Sequence, residues 1–323
     1  MKILATKSYQ YLSRNFLESA QQKGFCASEL SLEEKKFPDG ELCLKISDPE
    51  KIRDESVAIF AGITNFESIF ELYNLACEVV SLGCSKLHIV IPYLAYATQD
   101  QKNEIGEVAT LKNIAQLLSS VPQSPQGNQI YLVDVHNPIV LNYFEGKSTA
   151  SLISTKNLIK KIITKISEKN SIDEKLQVLA SVDMGRAQLI SEIADELSLS
   201  RIFIEKKRIS PEETQIVSVS DQNIAEKLVI IYDDMIRTGS SLLNAAEYYR
   251  SAGAKKIIAI ISHGIFANSA FEKIKQSKSI DKIFCFNTHP NVFAQPCSEN
   301  FLEICDISEV LLENLINVVC SGK

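Results

Sequence analysis

Short apolar runs alternate with amphipathic stretches from one end of the chain to the other. Runs at 2–5, 57–63, 86–93, 129–135, 177–182, 201–204, 227–232, 256–262 and 282–286 read as strands. Many are apolar at successive positions rather than at every second one, the pattern of strands covered on both faces, as in a parallel sheet. Between them, 69–82, 187–197 and 242–250 carry apolar residues at helical spacing. Strand and helix in alternation predict a doubly wound α/β architecture.

One pair of segments repeats. VAIFAGI (57–63), a helix and SLGCSKLHIVIPYL (81–94) resemble LVIIYDD (228–234), a helix and SAGAKKIIAIISHGIF (251–266). Gly83 and Gly253 correspond, about 170 residues apart, each placed to end its helix in a left-handed cap before the next parallel strand. The repeat predicts two tandem domains of one fold. EGKSTASLIS (145–154) breaks the pattern, so the expected division is 1–148 and 149–300, with 301–323 packing back on the first domain.

Composition narrows the classes. The chain has 323 residues, 45% hydrophobic and 23% charged, and a net charge of −6, which argues against a nucleic-acid partner. The apolar run in MKILATKSYQ is too short for a signal peptide and no stretch approaches a membrane span, so a cytoplasmic protein is expected. Eight cysteines show no C-x-x-C spacing and are expected to be buried free thiols. Four histidines, none at ligand spacing from a cysteine, argue against zinc.

The candidate chemistry concentrates at KLVIIYDDMIRTGSSLLN (227–244). A buried strand runs into Asp233 and Asp234, then a turn at Thr238, Gly239, Ser240 and Ser241, then a helix. A helix N-terminus after a glycine turn offers unpaired N–H groups to a phosphate, and the three hydroxyls add donors. The carboxylates can accept from hydroxyls of the sugar that carries the phosphate. Read alone, the same residues also suit a plain helix cap.

This segment resembles the ribose-phosphate fingerprint of the type I phosphoribosyltransferase fold. Five further segments then follow one family in order: KFPDGEL (36–42), IPYLAYATQDQK (91–102), VDVHNP (133–138), SVDMGRA (181–187) and IEKKR (204–208). With FNTHP (286–290) and LEICDISEVL (302–311), the chain resembles the ribose-phosphate pyrophosphokinase family, also called phosphoribosyl pyrophosphate synthetases. The resemblance implies an α/β protein of two tandem type I phosphoribosyltransferase-like domains, each a mainly parallel sheet flanked by helices. It implies Mg²⁺-dependent transfer of the diphosphoryl group of ATP to the anomeric hydroxyl of ribose 5-phosphate, releasing AMP. Lys206 and Arg208 match the catalytic pair on a mobile loop, His136 and Asp183 the residues that help hold Mg²⁺. Phe37, Asp39 and Glu41 match a loop that reaches a neighbouring subunit's adenine, which implies a homo-oligomer, dimer or hexamer. Gln99, Asp100 and Lys102 fall in the nucleotide loop.

Three departures stand out. The family reads A-R-Q-D-R in the nucleotide loop, where this chain has Ala97-Thr98-Gln99-Asp100-Gln101, and Lys102 replaces a bidentate fork by a point charge. Arg237 stands where the family's turn carries an acid, and Ser240 and Ser241 where glycine and threonine are usual. Two missing charge-assisted hydrogen bonds, at roughly 1.5–3 kcal/mol each, would weaken ATP binding. The departures leave open a larger, more anionic acceptor such as ADP-ribose, met by Arg237, or a non-catalytic regulatory paralogue.

Overall fold

The computed structural model describes residues 1–102, 104–170, 176–208, 214–219, 223–296 and 300–321. The chain forms two compact units, 1–154 with 306–323, and 155–305.

The first unit is built on a six-stranded parallel sheet. β1 (Lys2–Ala5) is flanked by β2 (Ser28–Glu29) and β5 (Ser56–Phe60). β6 (Lys86–Ile91), β7 (Asn128–Val133) and β8 (Thr149–Ile153) complete the order β2-β1-β5-β6-β7-β8. An antiparallel hairpin, β3 (Leu32–Lys36) and β4 (Leu42–Ile46), projects between β2 and β5 in the chain. Helices α1 (Gln10–Gln22), α2 (Phe66–Ser81) and α3 (Thr110–Ser119) cross between strands. Asn65 starts α2 with a capping box, its side chain accepting from the Ser68 N–H at 2.9 Å.

The second unit repeats this plan. α4 (Lys156–Asn170) leads into β9 (Gln177–Ser181), α5 (Ala187–Glu196) and β10 (Ser200–Ile202). A hairpin of β11 (Ile204–Arg208) and β12 (Thr214–Val219) follows. β13 (Leu228–Ile236), α6 (Ser240–Ser251), β14 (Lys256–Gly264), α7 (Ala270–Ser277), β15 (Lys282–Phe286) and β16 (Leu302–Cys305) come next. The sheet order is β10-β9-β13-β14-β15-β16, the first unit's order strand for strand. The final helix α8 (Ser308–Ser321) belongs to the first unit, where Ser308 Oγ lies 3.0 Å from Ser19 Oγ on α1 and Glu313 pairs with Lys23.

The repeat extends to single hydrogen bonds. Gly83 and Gly253, at φ +84° and +91°, each donate to the carbonyl three residues back, Val80 and Arg250. Their own carbonyls accept from Asp54 and Glu226, both at φ 62°. The glycines are required there, because a left-handed backbone after a helix costs any other residue its Cβ clearance. Central strands are buried on both faces: Val57 to Phe60 and Leu228 to Asp234 are all inaccessible or nearly so.

Three expectations change. The first unit runs to Ser154 rather than 148, because 149–153 is not a linker but the edge strand β8, paired with β7. Residues 302–305 form β16 and stay in the second unit, so the segment joining the first unit begins at Asp306. The six described cysteines form no disulfide, but only Cys84 and Cys285 of them are buried; Cys26 and Cys43 are exposed.

Candidate active site

β13 is the longest strand of its sheet together with β14, nine residues each, and it overruns β9. Asp233 and Asp234 therefore emerge just past Ser181, the last residue of β9, which pairs with Tyr232. Both acids are nearly buried, at 7% and 4% exposure. The Asp234 N–H donates to Asp233 Oδ1 at 3.0 Å, which fixes the first carboxylate by the backbone of the second.

Asp183 and Arg186 reach the same place from a single turn after β9. Asp183 caps the 3₁₀ turn Met184–Arg186, accepting from the Gly185 N–H at 2.9 Å. Arg186 Nη2 forms an ion pair with Asp234 Oδ2. Burial, then the charge and hydrogen bond of Asp234, then Asp183, push the Asp233 carboxyl well above the usual carboxylate range, with Arg186 opposing. Burial works against the charge of Arg186 too, but Asp234, Tyr232 and Asp233 outweigh it. A carboxyl in this state gains from any hydroxyl donor or cation that arrives.

The turn after β13 completes the second unit's site. Gly239 holds φ +80° as the N-cap of α6, and a Cβ there would stand 2.9 Å from Ile274 Cδ1 on α7. The tight approach and the left-handed backbone both demand glycine. Thr238 Oγ1 and Ser240 Oγ lie 3.3 Å apart, and Thr238, Ser240 and Ser241 are exposed beside the first turn of α6. Arg237 is exposed and makes no ion pair among the described residues. Lys206 and Arg208 lie in β11, opposite Ile216 and Thr214 of β12. Their side chains fall outside what the structure describes.

In the first unit the candidates form two groups. Phe37, Asp39 and Glu41 make the tip of the β3–β4 hairpin, with Phe37 N–H to Glu41 O at 2.8 Å and Asp39 Oδ1 accepting from the Glu41 N–H at 3.1 Å. Lys35 Nζ sits 4.9 Å from the Phe37 ring centroid. The second group joins the loops after β6 and β7. Asp100 Oδ2 accepts from Asn137 Nδ2 at 2.8 Å, and Tyr143 donates to the Asp100 carbonyl at 3.1 Å. Thr110 donates to Gln99 Oε1 at 2.8 Å, tying that loop to the start of α3. His136 and Lys102 are exposed. Asn137, Tyr143 and Arg186 were not singled out by the sequence; each acts on a residue dozens of positions away, which spacing does not reveal.

The fold defines a class: two tandem type I phosphoribosyltransferase-like units, each with candidate residues at the carboxyl ends of parallel strands, where such sheets bind ligands, and others on an antiparallel hairpin. The N-terminal domain of ribose phosphate pyrophosphokinase matches residues 1–121, and the phosphoribosyl synthetase-associated domain matches 194–321. The ribose-phosphate pyrophosphokinase of Thermococcus kodakarensis is 32% identical over 267 residues, 82% of this chain and 88% of that one. That of Pyrococcus abyssi is 32% identical over 264 residues, 81% and 85% of the two chains. Ribose-phosphate pyrophosphokinase 4 of Saccharomyces cerevisiae is 32% identical over 82% of this chain and 77% of its own. The phosphoribosylpyrophosphate synthetase of Mycobacterium smegmatis shares the fold over 100% of this chain and 99% of its own, with TM-score 0.81 and 21% identity. The chain belongs to the ribose-phosphate pyrophosphokinase family, and it is a transferase of that type.

Proposed function

We propose that the protein makes phosphoribosyl pyrophosphate from ATP and ribose 5-phosphate, releasing AMP. The anomeric hydroxyl oxygen attacks the β-phosphorus of ATP. The bond from that phosphorus to the α–β bridging oxygen breaks, AMP carries the electron pair away, and the hydroxyl proton passes to solvent. Such a transfer needs chiefly positioning and charge neutralisation.

One observation carries the reading: two nearly buried carboxylates at a strand end, followed by a glycine-capped helix N-terminus with three exposed hydroxyls. Asp233 and Asp234 would accept from the ribose hydroxyls, and the Thr238–Ser241 turn would take the 5-phosphate. Lys206 and Arg208 would meet the transferring group from the β11–β12 hairpin, and Gln99, Asp100 and Lys102 the nucleotide. The Phe37–Glu41 tip would complete the nucleotide site of a second copy in a homo-oligomer.

The donor chemistry suits Mg²⁺. No cluster of three or more His, Cys, Asp or Glu fit to hold a metal exists among the described residues. Asp183 and His136 would supply few protein ligands, leaving the rest to water and phosphate, as Mg²⁺ usually demands. When bound, the cation supplies positive charge to the diphosphoryl oxygens.

Ribose 5-phosphate is the acceptor proposed, since the relatives are named ribose-phosphate pyrophosphokinases. Mixing the enzyme with ATP, Mg²⁺ and ribose 5-phosphate should release AMP and phosphoribosyl pyrophosphate in equal amounts. Release of no AMP would contradict the proposal.

A further inference from the structure

We propose that Arg186 is the positioning residue of the acceptor site, holding the Asp234 carboxylate aimed for the ribose hydroxyls. The proposal rests on the acceptor reading above.

Asp233 and Asp234, both nearly buried, sit together at the end of β13, and Asp183 after β9 adds a further negative charge near Asp233. Carboxylates this buried do not stay ionised together without a cation. Arg186 supplies one inside the protein, its side chain 15% exposed against 5% for Asp234. A planar, always-charged fork suits the task, because it can hold a carboxylate in one orientation without itself losing its proton.

The molecule contains its own control. In the first unit the 3₁₀ turn after β1 is Lys7–Tyr9, and its last residue, Tyr9, packs on Gly62. Strand register aligns Gly62 with Asp234, since Phe60 pairs with Val90 as Tyr232 pairs with Ile260. The strand register sets Tyr9 against Gly185, one residue short of Arg186, but Tyr9 and Arg186 each end a 3₁₀ turn and directly precede the next helix. Where the strand end has no carboxylate the turn offers a neutral ring; where it has one, the turn offers a guanidinium. A residue serving only to fill space has no reason to follow the charge of its partner.

The test uses the full chain and steady-state constants for both substrates. A ribose hydroxyl contact exists before and during transfer, so its loss raises KM more than it lowers kcat. Arg186→Met should raise the KM for ribose 5-phosphate on the order of tenfold, with kcat and the KM for ATP within about threefold. In an Asp234→Asn background the same substitution should change the acceptor KM less than about twofold, because the partner is already gone. Should Arg186→Met fail to fold, Arg186→Lys decides: loss of the fork predicts a rise of about threefold, absent in the Asp234→Asn background. An unchanged acceptor constant, an equal effect in both backgrounds, or a rise confined to ATP would overturn the proposal. If Asp234→Asn itself leaves the acceptor KM unchanged, the acceptor reading falls and the proposal with it.

Discussion

The two units share a strand order and even individual loop hydrogen bonds, yet their central strands end differently. β13 runs into Asp233 and Asp234, met by Arg186 from the turn after β9. β5 ends at Phe60 and is followed by Ala61 and Gly62, and Tyr9 fills the space above so closely that a Cβ on Gly62 would collide with its ring. Tyr9 is 1% exposed, and its burial raises the phenol's pKa well above the ordinary value. One unit keeps a charged, partly compensated strand end, while the other has closed the same place with an aromatic plug. The scaffold occurs twice, and under the function proposed above a few side chains decide which copy holds the sugar phosphate.

The largest expected effect separates chemistry from binding. Lys206→Ala and Arg208→Ala should each lower turnover by about two orders of magnitude or more, since the proposed mechanism has them meet charge in the transition state. Binding of ribose 5-phosphate by calorimetry should stay near wild type. Near-normal turnover in both variants would remove the hairpin from the mechanism. The next attacks the plug. Gly62→Asp should cost about 3 kcal/mol or more of stability, because it adds a buried carboxylate with no arginine and drives Tyr9 aside. A denaturation midpoint close to wild type would show that the first unit's strand end is open after all.

Much of this contrast was legible in the sequence and some was not. The continuous apolar runs marked the central strands, and the DD and TGSS text marked the acceptor candidate, because burial and turn chemistry act locally. The pattern failed at the sheet edge. β8, TASLI, is half exposed, and it read as a break because an edge strand has no continuous apolar signal. The hairpin strand LEEKK carries four charges in five residues and is absent from the strands the pattern predicts; its pairing with β4 is what makes it a strand. Arg186 stood in the SVDMGRA segment with no role of its own. Its partner lies 48 residues on, and only the adjacency of β9 and β13 brings them together.

Two smaller effects sharpen the comparison. His88, on β6 of the first unit, is fully buried between the Tyr131 and Ser56 hydroxyls, each 3.1 Å away. Burial, aided by Lys86, lowers its pKa from 6.5 to about 3. The unfolded chain therefore takes up a proton that the folded chain refuses, so this stability is present above pH 6.5 and is lost as pH falls toward 3. By pH 5 the loss should reach about 2 kcal/mol, and His88→Gln should flatten that part of the profile. A profile unchanged by the substitution would mean that His88 is not excluded from protonation. Arg237→Ala should change the acceptor affinity less than about twofold, as expected of an exposed residue with no ion pair among the described residues. A tenfold change would place Arg237 on the acceptor.

The central claim is that the second unit's acids hold the acceptor. Titration of ribose 5-phosphate into the wild type, Asp233→Asn and Asp234→Asn by calorimetry tests it most directly. An amide keeps one acceptor oxygen where the carboxylate has two, and each substitution should weaken binding by about tenfold, with the folded state retained. Wild-type affinity in both variants would return these acids to the role of a helix cap and contradict the account.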